Sequence, residues 1–91
     1  MIGVRLIGVN TPERGQAGWA EARDFLRALL TGQRVRLARE AGHANRDRYG
    51  RLLRLVYLDD DLVQALIIAA GHSEYTARWG RSPTIEAACD Q

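Results

Sequence analysis

Two arginines stand where they could act on a phosphate group. Arg5 interrupts an otherwise apolar run near the start of the chain, and Arg51 begins a second apolar run. A guanidinium group binds phosphate oxygens through two parallel hydrogen bonds, so two rigidly held arginines could clamp one phosphate between them. Each residue also has an ordinary structural interpretation, Arg5 as a solvated side chain at a strand edge and Arg51 as the solvated flank of a turn.

The tetrapeptide Asn10-Thr11-Pro12-Glu13 follows the first apolar run. It brings together an amide oxygen, backbone carbonyls and a carboxylate, which are ligands that suit a hard cation such as Ca²⁺. The Glu13 carboxylate could instead act as a general base for water. The alternative is purely local, because a Thr cap followed by Pro and an acidic first turn is also a common way to begin a helix.

The third segment is Asp47-Arg48-Tyr49-Gly50-Arg51. Asp at the start and Gly near the end are typical of a well-formed turn, and this is its structural interpretation. The functional interpretation is that the turn presents Arg51 as the second phosphate ligand. None of the three segments is specific when taken alone.

The first half of the chain predicts a strand, a helix and a second strand. The apolar, β-branched run predicts the first strand over Ile2–Val9, and apolar residues at helical spacing predict a helix over Ala17–Leu30 that Gly32 ends. Alternation then predicts a strand over Gln33–Glu40, with Val35 and Leu37 on its dry face.

The second half predicts a strand over Arg51–Leu58 and two short helices. Three aspartates, 59–61, would cap the first helix, which would run to Ala70, and the last helix would cover Thr84–Cys89. Between the helices lie Tyr75 and Trp79, for which we expect packed or interfacial positions, with base stacking as the alternative. About three strands and two to three helices in this order predict an α+β domain.

The ordered combination of these segments resembles the staphylococcal nuclease (thermonuclease) family. The resemblance rests on the run from Arg5 to Glu13, the helix text with Glu21-Ala22 and Phe25-Leu26, the Asp47–Arg51 turn and the segment from Leu62 to Gly71. It covers roughly residues 4 to 72. It implies a shortened version of the family's OB-fold-like barrel and calcium-dependent hydrolysis of phosphodiester bonds in DNA and RNA.

The resemblance also implies roles for single residues. Arg5 and Arg51 match the two arginines that bind the scissile phosphate, and Glu13 matches the carboxylate proposed as general base. Metal-binding positions fall on Asn10 and Thr11, the latter through its backbone carbonyl. The implied contacts beside the bound nucleotide come from Asp47, Arg48 and Tyr49.

Two departures from the family pattern modify these expectations. The matching region starts after two family strands whose turn region carries a metal-binding aspartate, and Asn10 replaces the second metal carboxylate. Because ligand charge tunes calcium affinity, we expect weak Ca²⁺ binding and impaired catalysis. The alternative is a non-catalytic nucleic-acid-binding or interaction domain. Missing strands leave open sheet edges, so we also expect a homo-oligomer that completes the sheet.

Composition places few limits on function. Ninety-one residues predict one domain over 1–91, and the hydrophobic and charged fractions of 46% and 26% are ordinary for a globular chain. All 13 basic residues are arginine and the net charge is +2, which is compatible with a polyanionic partner. One cysteine, no signal peptide at the start and no long apolar stretch lead us to expect a cytoplasmic protein without a membrane span.

Overall fold

One central strand, β3 (Leu52–Leu58), organises the domain in a computed structural model that describes residues 3–90. Strand β1 (Val4–Leu6) runs parallel to the first half of β3, and β2 (Arg36–Ala38) runs antiparallel along its other edge. A two-residue turn then leads into β4 (Asp61–Leu62), which pairs antiparallel with the end of β3. The strand predicted from Ile2 is therefore shorter than expected, and Ile2 itself lies outside the described residues.

Gln64 fills a gap along one edge of β3. Strand β1 pairs with β3 as far as Arg54 and β4 pairs only from Tyr57. The fully buried Gln64 side chain accepts a hydrogen bond from the Val56 amide at 3.1 Å and donates one to the Arg54 carbonyl at 3.0 Å. A side-chain amide thus replaces the missing stretch of neighbouring strand, because buried backbone groups need partners.

Two apolar clusters form on opposite faces of β3, since successive side chains of a strand point to opposite sides. Val56 packs with Val63 and Ile67 beneath the apolar stripe of helix α1 (Trp19–Leu30). Leu55 packs on the other face with residues from β4 and from helix α3 (Pro83–Cys89). Helix α2 (Val63–Ala69) contributes side chains to both clusters and joins them.

The segment after α2 folds back onto the end of the first strand. Val9 forms an antiparallel bridge with Tyr75, the Thr76 amide donates to the Gly8 carbonyl at 2.9 Å, and the Asn10 amide donates to Ser73 Oγ at 2.9 Å. Gly8 has φ = 75°, and an added Cβ there would lie 2.5 Å from Ile85 Cδ1 of α3. Glycine is required at this close contact, which fixes the start of the loop that follows.

The local interpretation of Thr11 and Pro12 as the start of a helix is wrong, whereas the helix predicted over Ala17–Leu30 is present with a start two residues later. Helix α1 begins at Trp19, because Gly18 adopts a left-handed conformation (φ = 85°) and serves as its N-cap. The residues before it form a separate turn in which the Gln16 amide donates to the Glu13 carbonyl at 2.9 Å. Residues 11–18 are therefore a loop, and the local explanation of the tetrapeptide loses its support.

Two further expectations about secondary structure are also wrong. Asp59 and Asp60 form the turn between β3 and β4 and do not cap α2, whose N-cap is Leu62. Val35 and Leu37 do not lie on a dry face either, because they are 37% and 42% exposed at the outer side of the sheet. The mixed sheet of four short strands with three helices does confirm the predicted α+β, OB-like class.

Candidate active site

One cavity of about 760 Å³ is lined by residues of β1, by the loop that follows it and by the turn that leads into β3. The turn before β3 forms one wall and the segment between α2 and α3 forms another. Seven of the eight site residues predicted from the sequence line this cavity: Arg5, Asn10, Glu13, Asp47, Arg48, Tyr49 and Arg51.

Strand pairing brings the two arginines to the same side of the sheet. Val4 is opposite Leu52 and Arg5 is opposite Leu53, and the Leu52 amide donates to the Gly3 carbonyl at 2.9 Å. Side chains two residues apart on a strand share a face, so Arg51 lies on the same face as Leu53 and therefore as Arg5. The parallel register alone makes the two guanidinium groups neighbours in the cavity.

Asp47 holds Arg51 in place from within the preceding turn. Its Oδ2 accepts a hydrogen bond from Arg51 Nε at 2.7 Å, while its Oδ1 accepts from the backbone amides of Tyr49 and Arg51, both at 2.9 Å. Burial raises the pKa of Asp47, but the bonds from Arg51 and Tyr49 outweigh that effect, and the pKa lies below its ordinary value. Asp47 is thus an ionised turn residue that orients an arginine.

Arg5 is held less tightly and is partly buried. Its Nη1 donates to the Leu6 carbonyl at 2.9 Å, and its guanidinium carbon lies 5.9 Å from the centre of the Trp79 ring. Burial lowers the pKa of Arg5, the nearby Arg51 lowers it further, and Asp47 partly opposes both. Two cations that repel one another in a shared cavity favour an anion between them.

Glu13 and Asn10 complete the cavity on the side of the 10–13 loop. The Glu13 amide donates to Gln16 Oε1 at 2.7 Å, which fixes the backbone of the loop. The Glu13 carboxylate makes no salt bridge within residues 3–90. It is therefore an exposed carboxylate that can accept a proton or bind a cation.

The structure separates Thr11 from the other predicted site residues. Thr11 and Pro12 line a second, smaller groove against α1, on the other side of the loop from the main cavity. Its predicted role as a metal ligand through the backbone carbonyl stays a prediction.

The segment before α3 forms a wall of the cavity that the sequence did not predict, although base stacking by Trp79 was the alternative to a packed position. Trp79 is 64% exposed and lines the cavity together with Thr76 and Arg78, whereas Tyr75 packs against the core as expected. The guanidinium carbon of Arg78 lies 5.0 Å from the centre of the Trp79 ring. An exposed indole beside two arginines is a surface on which a flat aromatic group can stack. The sequence contains Arg78-Trp79-Gly80, but nothing local places them at the cavity.

Long-range hydrogen bonds hold this wall in position. Glu40, which is buried, accepts from Ser82 Oγ at 2.8 Å and from the amide and hydroxyl of Thr84 at 3.0 and 2.8 Å. The ring of His43 bonds to the Arg81 carbonyl through Nε2 at 2.7 Å, and Gly80 lies against the same ring. Burial raises the pKa of Glu40, but the bonds from Thr84 and Ser82 lower it below the ordinary value.

The residues present do not fit a tight calcium site. Glu13 and Asp47 are the carboxylates that line the cavity within residues 3–90, and that of Asp47 is bound to Arg51. No three His, Cys, Asp or Glu side chains converge within this part of the chain. A divalent cation would find one carboxylate and the Asn10 amide, whereas Ca²⁺ sites generally offer six or more oxygens.

The cavity combines two neighbouring arginines, an exposed carboxylate and an aromatic wall, and these groups suit a phosphate ester attached to a flat base. Comparison with known proteins agrees. Residues 3–89 match the family described as staphylococcal nuclease homologue, and the chain belongs to that family.

Individual relatives support the same assignment. The chain is 39% identical to a thermonuclease of Staphylococcus intermedius over 74 residues, which is 75% of this chain and 43% of that protein. It is 38% identical to a thermonuclease of Staphylococcus hyicus over the same shares. An uncharacterized endonuclease of Escherichia coli O157:H7 is 28% identical over 83 residues, or 90% of this chain and 52% of its own length. The chain thus spans about half the length of these curated relatives.

In the part of the chain that the structure describes, the helices are too short or too polar to cross a membrane.

Proposed function

We propose that this domain binds nucleic acid in the main cavity and hydrolyses its phosphodiester bonds slowly. Arg5 and Arg51 bind the non-bridging oxygens of one phosphate and stabilise the charge that develops in the transition state. Glu13 accepts a proton from the attacking water while the water oxygen bonds to phosphorus, the bond from phosphorus to the leaving oxygen breaks, and the leaving oxygen takes a proton from solvent. Arg48 and Tyr49, at the exposed tip of the turn, contact the attached nucleotide.

The observation that carries this proposal is the shared sheet face of the two arginines. Strand β1 holds Arg5 more rigidly than a loop would, and Asp47 fixes Arg51, directly before β3, through Nε. Arg51 keeps its two terminal nitrogens available for phosphate, because Asp47 binds only Nε. Arg5 keeps Nε and Nη2 available, because only Nη1 donates to the Leu6 carbonyl. Membership in a nuclease family supports the same function.

No step of this mechanism is assigned to a metal ion, because the described residues do not fit a tight Ca²⁺ site. Within the proposal, Asn10, Thr11 and Glu13 can hold a divalent cation only weakly. A calorimetric titration should therefore show weak Ca²⁺ binding. Tight binding to the isolated protein would contradict this part of the proposal.

The direct test is cleavage of a labelled single-stranded DNA with and without Ca²⁺. We expect Arg51→Ala to lower the cleavage rate by at least about 100-fold, as loss of a donor to a developing charge does in other enzymes. Arg34→Ala is the matched control, because Arg34 is exposed and lines neither cavity. Equal rates for Arg51→Ala and the unmodified protein, purified in parallel, would refute the assignment.

A second candidate function is non-catalytic binding of nucleic acid. Within residues 3–90 the cavity holds one carboxylate without a salt bridge, that of Glu13, and this favours the second function, since phosphate contacts survive without a complete catalytic site. Binding in EDTA that falls steeply with salt, together with absent cleavage at every Ca²⁺ concentration, would establish this function in place of hydrolysis.

We further propose that copies of the chain associate through the outer edges of the sheet. Three apolar side chains at these edges are more than a third exposed: Val4 on β1, Leu37 on β2, and Val35 directly before β2. Open strand edges with apolar side chains favour pairing with another chain. A monomeric mass by light scattering at moderate protein concentration would contradict this proposal.

A further inference from the structure

A second groove of about 320 Å³ lies directly beside the main cavity. The 10–13 loop separates the two: Asn10 and Glu13 line the cavity, whereas Thr11 and Pro12 line the groove. A chain-like ligand that leaves the cavity across this loop would enter the groove. The groove has about the smallest volume that is typical of small-molecule sites, which suits a single nucleotide.

An indole and several guanidinium groups form this groove. Trp19, the first residue of α1, is half-buried at its floor. The guanidinium carbon of Arg23, one helical turn further on, lies 4.6 Å from the centre of its ring, and that of Arg14 lies 5.8 Å away. Nucleobases stack on aromatic rings and on guanidinium planes, so this arrangement suits a base with its phosphate nearby.

The charge around the groove is positive. Arg23 is bound to Asp24 at 3.1 Å, and Glu21 stands in the same first turns of the helix. Arg14 and Arg27, both exposed, make no salt bridge within residues 3–90. Arg14 beside the indole and Arg27 in the lining of the groove are thus both available for phosphate oxygens.

We propose that this groove is an accessory binding site for one nucleotide of the same single strand that the main cavity holds. The inference rests on the proposed function, since it extends the path of a nucleic acid beyond the reacting phosphate. Trp19 stacks on the base, and Arg14 and Arg27 bind the flanking phosphates. A strand long enough to cross the 10–13 loop then binds with higher affinity than a strand that is too short to reach the groove.

The test compares the affinities of a trinucleotide and of a labelled oligothymidylate of about nine nucleotides, a length within the range that OB folds cover. Binding is measured by fluorescence anisotropy in EDTA, and gel electrophoresis of the recovered strand checks that it stays intact during the measurement. Trp19→Leu should weaken binding of the long strand at least about fivefold and leave trinucleotide binding unchanged. Arg14→Ala with Arg27→Ala should make the salt dependence of long-strand binding shallower by about 1.4, or about 0.7 for each arginine.

Controls separate this site from the main cavity and from loss of folding. Arg34→Ala removes an exposed arginine outside both sites and should change neither affinity. The double arginine variant alters exposed residues only, so it tests the groove even if Trp19→Leu unfolds the domain. Arg51→Ala should weaken the binding of both oligonucleotides, because each of them occupies the main cavity.

The outcomes distinguish failure of the groove from failure of the function. Tight binding of both oligonucleotides that no groove variant changes would overturn the accessory site and leave the proposed function intact. Absence of binding by both would refute the function, and the groove with it. Oligoglutamate that competes as strongly as unlabelled oligothymidylate would also overturn the proposal, by identifying a surface that binds any acidic polymer.

Discussion

Replacing Gln64 with Leu should destabilise the domain by about 2 kcal/mol, although it removes no apolar contact. Leu has nearly the same volume as Gln and is commonly buried in protein cores, so the packing around this position changes little. The Val56 amide, however, loses its only partner at that edge of β3 and stays buried. An unpartnered buried backbone donor costs about 1–3 kcal/mol.

The Arg54 carbonyl should contribute much less to this loss. It also accepts a hydrogen bond from the Ile7 amide at 3.2 Å, so it keeps one partner when the Gln64 amide is removed. The expected total is therefore close to the cost of the single Val56 amide. For a domain of this size it corresponds to a fall in the melting temperature of about 8–16 °C, at roughly 4–8 °C for each kcal/mol.

Urea and thermal unfolding followed by circular dichroism measure this change directly. Gln33→Leu is the matched control, because it makes the same substitution at an exposed position and should have little effect. A loss below about 0.5 kcal/mol in Gln64→Leu would refute the reasoning, since effects of that size are ordinary for surface substitutions. It would mean that another group, such as a water molecule, can satisfy the gap in the ladder.

Three other perturbations test separate features. Glu40→Ala removes three hydrogen bonds and leaves the buried Ser82 hydroxyl without its acceptor, so it should lower the free energy of unfolding by about 3 kcal/mol in urea melts. Hydrogen bonds from Arg81 and from Tyr75 lower the pKa of Glu86 from 4.5 to about 2. The ionised carboxylate therefore stabilises the fold fully above pH 4.5, and this stabilisation is lost as the pH falls toward 2. Glu86→Gln should flatten an acid unfolding profile over that range, and an unchanged profile would contradict this account. Gly8→Ala forces a Cβ onto Ile85 at positive φ and should cost at least about 2 kcal/mol, and Ile85→Val in the same chain should recover only the part due to the contact.

The paired arginines show how far a sequence can predict a site. Arg5 and Arg51 were identifiable because each interrupts or begins an apolar run, and their side-by-side placement follows from alternation once the two strands pair in parallel. The roles implied for them by family resemblance stay predictions. The sequence predicts Asp47 as a turn residue. Its second function, orienting Arg51 through Nε, becomes visible only in the positions of the side chains.

The features that the sequence did not locate depend on backbone conformation and on contacts between distant parts of the chain. Helix α1 begins at Trp19, two residues after its predicted start, because Gly18 adopts a left-handed conformation that helix propensities do not reveal. Trp79 reaches the cavity because Glu40 binds Ser82 across 42 positions of sequence. Local patterns determine where strands and helices form, whereas such pairings are decided only when the whole domain packs.

The return of the chain from Ser73 to Thr76 onto Gly8–Asn10 has a consequence for the order of events during synthesis. Asn10 gains its partner Ser73 only after more than sixty further residues have been added, since the two residues are 63 positions apart. The cavity wall with Trp79 follows a few residues later still. A nascent chain therefore cannot form the complete cavity until this segment has also left the ribosomal tunnel, and the part made earlier carries its arginines without the pocket that would hold a polynucleotide.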